Sequence, residues 1–160
     1  MTPREDRAVQ VKDLMSRDVV TVGTGASCLT ALESMHAARV RHLPVVGRDG
    51  LLVGMVTDRD LRHHLFSPRS FEALPATPVA TILGATLVAE IMSTGVIAVD
   101  PEEPIAEAAW TMRKHQIGAL PVTAHGRVVG ILTEIDVLRH IVRTDTGQTP
   151  ACAEIIVPFP

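Results

Sequence analysis

Threonine and aspartate three residues apart occur twice in this chain in the same setting, as Gly54-Met55-Val56-Thr57-Asp58-Arg59-Asp60 and as Gly130-Ile131-Leu132-Thr133-Glu134-Ile135-Asp136. Two kinds of chemistry suit such a pair. A carboxylate can accept from both hydroxyls of a ribose, and a neighbouring threonine hydroxyl can donate or accept beside it. Thr-x-x-Asp ahead of a helix is also close to a capping box, with the threonine as N-cap and the aspartate at the third helical position. The roles are compatible, because a helix N-terminus that needs a cap also favours an anionic ligand. A second signal precedes two prolines: Arg41-His42-Leu43-Pro44 in one copy, Gly118-Ala119-Leu120-Pro121 in the other. A guanidinium fork there suits a phosphate, or is a solvated arginine on a strand edge. Arg59 is a third basic residue without a basic counterpart, since Ile135 stands opposite it.

Other chemistry is poorly served. Gly23-Thr24-Gly25-Ala26-Ser27 follows a strand-like stretch and precedes a helix-like one, as a phosphate-binding glycine loop would. Its counterpart, Asp100-Pro101-Glu102-Glu103-Pro104, is acidic and proline-rich, so both are read as helix entries. The seven histidines are scattered without ligand spacing, and His63-His64 point different ways on a helix. Cys28 and Cys152 form no metal or redox motif and fit a reducing compartment. No nucleophile and base are linked by spacing, so no catalytic activity and no metal site are expected.

These residues must be held by a duplicated scaffold. Val11, Met15, Ser16, Val19 and Val22 recur as Val88, Met92, Ser93, Val96 and Val99, at an offset of 77 that becomes 76 after one deletion in a turn. A unit of roughly 55 residues is too long for most solenoid repeats. Two small domains related by pseudo-twofold symmetry, with a cleft between them, are expected instead. Each copy alone is small for an independent core, so the two are expected to share one. In copy one, Val11–Met15 reads as a helical turn, Val19–Val22 as a strand and Ala26–Ala38 as an amphipathic helix. Strand His42–Val46, a turn at Gly47–Gly50, strand Leu51–Val56 and helix Thr57–Leu65 follow. Copy two repeats the order with strand Val96–Val99, helix Ile105–His115, strands Ala119–Thr123 and Val128–Leu132 around Ala124-His125-Gly126, and helix Glu134–Val142. The fold class is α/β (α+β), with two β-α-β-β-α units. Residues 1–10 form an N-terminal tail, 11–65 the first repeat, 66–87 a proline-containing linker, 88–142 the second repeat and 143–160 a C-terminal tail. Ile155–Phe159 in that tail is either an edge strand or a docking peptide.

Composition narrows the partners. A net charge of −3 gives no general attraction to nucleic acid. The chain has no tyrosine and 2% aromatic residues, which argues against base-stacking platforms. No apolar run approaches a membrane span, and the charged start lacks an apolar signal region, so a cytoplasmic location is expected. Trp110, the only tryptophan, stands where copy one has Glu33, which points to an exposed contact surface such as a homodimer interface or a cover for the linker or tail.

The β-α-β-β-α order, the Leu-Pro-Val strand and Gly-h-h-Thr-x-x-Asp (h apolar) closing each copy resemble the CBS domain, the cystathionine-β-synthase repeat, over residues 11–65 and 88–142. The resemblance implies a stand-alone regulatory pair that binds an adenosine-containing ligand between the repeats: AMP, ADP, ATP, S-adenosylmethionine or NAD, with Mg2+ entering only as a companion of a nucleotide's phosphates. It implies a homodimer and a regulated protein whose identity is open. Mapped by resemblance, Asp60 and Asp136 with Thr57 and Thr133 hold ribose. Arg41, His42 and Arg59, beside Pro44 and Pro121, reach phosphate. Val20 and Ile97 offer backbone groups, and Met55 and Ile131 apolar walls, to adenine. On this mapping the clefts are unequal, one basic and one less suited to an anion.

Overall fold

The computed structural model describes residues 8–68, 70 and 77–146. Chain order is α1 (Val11–Leu14), β1 (Val22–Gly23), α2 (Cys28–Ala38), β2 (His42–Val46), β3 (Leu52–Thr57), α3 (Asp58–Leu65), α4 (Val79–Ala85), α5 (Val88–Ile91), α6 (Ile105–His115), β4 (Ala119–Ala124), β5 (Arg127–Thr133) and α7 (Glu134–Thr146). The β-α-β-β-α pattern holds in both copies, packed with apparent pseudo-twofold symmetry. Ile155–Phe159 lies outside the described residues.

The hairpins form where β-branched runs meet a turn. Antiparallel β2–β3 places Pro44 opposite Met55, and β4–β5 places Pro121 opposite Ile131. His125 and Gly126, at φ 52° and 75°, make the two-residue connection of the second hairpin, the mirror-image turn whose twist matches that of its strands. The expected first strands are shorter than read. Val22–Gly23 alone pairs with β2, in parallel, and in copy two only Val99 bridges to Val122. Val19, Val20, Val96 and Ile97 lie along cavities instead, where no neighbouring strand offers a ladder.

The expected shared core is replaced by two cores that exchange a piece of chain. Leu43, Val45, Val56 and Leu61 of copy one pack with Leu83 and Val88, while Leu120, Val122 and Leu132 of copy two pack with Val11. Val11 and Val88 are both fully buried, so each valine contributes about 1.5–3 kcal/mol to the other copy's core. Backbone bonds lock the exchange: Val11 N–H donates to Glu103 O at 2.9 Å, and its counterpart Val88 N–H to Ala26 O at 2.8 Å. Two glycines permit it. A β-carbon on Gly54 would meet the Met92 sulfur at 2.5 Å, and one on Gly130 would be driven into the Met15 sulfur. The glycine opening each Gly-h-h-Thr-x-x-Asp motif is therefore the seat for the other copy's methionine.

Candidate functional site

Each Thr-x-x-Asp motif joins the end of a hairpin to a helix. Thr57 N-caps α3: the Asp60 N–H donates to Thr57 Oγ1 at 3.2 Å, and Asp60 Oδ2 accepts from the Thr57 N–H at 2.8 Å and the Thr57 hydroxyl at 2.7 Å. Copy two repeats the box, with Asp136 Oδ2 accepting from the Thr133 N–H at 2.9 Å and hydroxyl at 2.6 Å. The carboxylate closes the cap with one oxygen only. Among the described residues, Asp60 Oδ1 carries no protein hydrogen bond, and Asp136 Oδ1 has only the Arg139 guanidinium at 3.8 Å. An oxygen fixed by its partner oxygen and left open is suited to accept from a bound hydroxyl.

The exchange decides which residues share a cleft. Ser16 bridges to Ile131, and Ser93 to Met55. The segment after each methionine therefore runs beside the other copy's motif. The Asp136 cleft, about 350 Å³, gathers Val20 from copy one with Ile131, Thr133 and Asp136 from copy two. The Asp60 cleft, about 620 Å³, gathers Ile97 from copy two with Met55, Thr57 and Asp60 from copy one. Both volumes lie in the range of small-molecule sites.

The family model for the CBS domain matches residues 11–67 and 88–143. The chain belongs to the CBS domain family. A CBS domain-containing protein of Dictyostelium discoideum is 36% identical over 138 residues, 84% of this chain and 92% of that one. The CBS domain pair of protein MJ0100, in complex with 5′-methylthioadenosine and S-adenosyl-L-methionine, is 29% identical at a TM-score of 0.69, covering 86% of this chain and 98% of that one. CBSX2 in complex with AMP is 25% identical at a TM-score of 0.69, covering 85% and 98%. A CBS pair is a regulatory, non-catalytic module. Among the described residues, this one has no group of three His, Cys, Asp or Glu side chains that could hold a metal ion. Its described cysteine, Cys28, is fully buried, and burial together with Glu90 pushes the thiol up to about 11, away from the reactive thiolate.

Of the residues assigned from sequence, this CBS pair brings all but two to a cleft wall. Pro44 and Pro121 are fully buried behind Met55 and Ile131 and line neither cleft. A fully buried strand proline is a packing residue here, with no surface to offer. Arg59 lines the Asp60 cleft, whereas Arg41 and His42 line both. Burial pushes His42 below the usual imidazole range, Arg41 adding to the shift, while Asp58, Glu134 and Asp60 oppose it.

The sequence reading missed the rest of the walls. Arg39 lines the Asp136 cleft and Gln116 the Asp60 cleft. They are equivalent C-caps of α2 and α6, held left-handed at φ 55° and 54°. With no glycine at either helix end, nothing in the sequence marked the turn. Glu134, a middle residue of its motif to which the sequence assigned no role, stands in both walls. Arg62, one turn further along α3, lines the Asp60 cleft and donates to Asp58 at 3.0 Å.

Trp110 is 55% exposed on α6, with the Lys114 ammonium 4.7 Å from its ring centroid. A larger apolar surface lies on α7, where Ile135, Leu138, Ile141 and Val142 are all exposed. Arg59 and Arg62 hold the first two of these positions in copy one.

Proposed function

We propose that this CBS pair is a ligand sensor whose clefts bind an adenosine-containing molecule, with Asp60 and Asp136 accepting from the ribose hydroxyls. The observation that carries the reading is the half-used carboxylate: both aspartates line a cleft, Oδ2 closes the helix cap, and among the described residues Oδ1 has no protein hydrogen bond, Asp136 Oδ1 having only Arg139 at 3.8 Å. Apolar Val20 with Ile131, and Ile97 with Met55, form a slot for the base beside each carboxylate. The adenosyl ligands of the related MJ0100 and CBSX2 structures support the same class of ligand. AMP, ADP, ATP, S-adenosylmethionine and NAD all carry the ribose and base this reading needs. Mg2+ enters only with a polyphosphate, bound by the ligand. Output passes through the relative arrangement of the repeats, because each cleft joins residues of both copies. A ligand changes that arrangement only by binding one form more tightly than another.

Homodimer formation belongs to the same proposal, with the exposed aliphatic face of α7 and Trp110 as its contact surfaces and a separate regulated protein as the receiver. So does a cytoplasmic location, supported by the free thiol of Cys28. Among the described residues no helix is long and apolar enough to cross a membrane. The competing reading is a ligand-free dimerisation scaffold, favoured by the fact that both capping boxes are complete within the protein. Thermal unfolding with AMP, ATP and S-adenosylmethionine separates the two. At about 100 times Kd a ligand adds about 2.7 kcal/mol, raising Tm by about 5–10 °C in a protein of this size. Unchanged melting with every adenosyl compound establishes the scaffold.

A further inference from the structure

The clefts are separate in their ribose carboxylates and shared at their junction. Four residues line both: Arg41, His42, Gly118 and Glu134. Arg41 and Gly118 are equivalent positions, and their backbones make equivalent bonds, Arg41 O accepting from the Asp58 N–H and Gly118 O from the Glu134 N–H, each at 3.1 Å. A symmetric pair would carry two guanidinium groups at this junction, one for each cleft. This chain carries one, because position 118 has no side chain. The other cleft arginines are private: Arg39 and Arg139 line only the Asp136 cleft, Arg59 and Arg62 only the Asp60 cleft. Two of those four face carboxylates of their own, Arg62 with Asp58 and Arg139 with Asp136. The carboxylate of Glu134 stands at the junction as well, 3.5 Å from where a β-carbon of residue 118 would lie.

A ligand seated on either aspartate, with its base on the apolar wall, has the junction as its shared cationic end. One guanidinium can grip one phosphate bidentately. A second phosphate would find Arg41 engaged, with Glu134 and the first phosphate both repelling it. His42 offers little relief. Burial, the largest effect on it, disfavours its charged form, and Arg41 adds to this, although Asp58, Glu134 and Asp60 act the other way.

We infer that Arg41 is a phosphate clamp shared by the two clefts, so that one phosphorylated ligand bound to the chain weakens the binding of a second. The inference rests on the proposal that the clefts bind adenosine compounds. It predicts that charge decides stoichiometry. An uncharged nucleoside fills both clefts independently, whereas a nucleotide occupies one cleft well and the other poorly.

Calorimetric titration of the full chain with adenosine and with AMP tests this. Adenosine is expected to fill two sites of similar affinity, and AMP one tight site and a second at least about tenfold weaker, an ordinary size for coupling between sites. Arg41→Ala is expected to bring the two AMP sites to within about threefold of each other, and Gly118→Arg to strengthen the second by about tenfold, within the same range. Arg41 is exposed, and residue 118 is free of positive φ with only ordinary contacts at its β-carbon position, so both variants should fold. Two equal AMP sites in the unmodified chain, a gap that survives Arg41→Ala, or a single site for adenosine as well as for AMP would each overturn the shared clamp while leaving adenosyl binding intact. Binding of neither compound overturns both.

Discussion

The two repeats share a scaffold and differ where a ligand's charge would be felt. Leu43 and Leu120 occupy equivalent core positions and are both fully buried, and the capping boxes of Thr57–Asp60 and Thr133–Asp136 match bond for bond. Against this, copy one places Arg41, His42 and Arg59 where copy two has Gly118, Ala119 and Ile135. Identity includes the residues that hold the backbone and the two motif aspartates. Divergence sits at the junction and on the outer helix. Duplication has fixed the frame and left the electrostatics free.

The strongest challenge to this comparison is to damage both cores alike. Leu43→Ala and Leu120→Ala should each cost about 2–5 kcal/mol, read from the denaturant midpoint, and the two costs should be similar. A large inequality would show that the copies are not equivalent in packing. A smaller effect tests the exchanged segments. Gly54→Ala and Gly130→Ala should each cost about 1–3 kcal/mol through overpacking against Met92 and Met15. Removing the facing methionine side chain should recover part of that loss. If either alanine is silent, the methionine is not seated on its glycine.

The smallest effect separates the copies instead of matching them. His42 has Ala119 as its equivalent in copy two, and its pKa is lowered from 6.5 on folding, chiefly by burial. The unfolded chain therefore binds more protons at this residue as the pH falls. The stability associated with neutral His42 is fully present above about pH 6.5 and is lost as the pH drops through the lower, folded pKa. His42→Ala, which copies the second repeat, should flatten part of the acid-side decline in the denaturant midpoint between about pH 7.5 and 5.5. An unchanged slope would mean that burial at the junction does not act on this imidazole.

Much of the fold was legible because its signals are local. Helix Ile105–His115 has the bounds expected from the sequence, and each hairpin follows from β-branched runs around a turn. Long-range choices were less so. Val19–Val22 and Val96–Val99 have strand composition, but β pairing needs a neighbour, and the first two residues of each line a cleft. The exchange of Val11 and Val88 left no trace, since a short apolar turn suits either core equally. In the site, the motif aspartates were legible as a repeated pattern with chemistry of its own. Arg39 and Gln116 were not, because their position comes from a left-handed cap without glycine. That Arg41 lines both clefts is likewise a consequence of symmetry at the junction, which no linear comparison of the copies displays.

The central claim is that one carboxylate both caps a helix and grips a ligand. Asp60→Asn and Asp136→Asn separate the roles, because an asparagine carbonyl can still accept at the cap while its amide presents a donor where the open oxygen stood. The decisive measurement is thermal unfolding of the double variant with and without AMP, beside the unmodified chain. The account predicts a ligand-free Tm within a few degrees of the original, the size of shift expected from about 1 kcal/mol at a cap, and loss of the AMP-induced rise. A variant that keeps the full AMP response would contradict it.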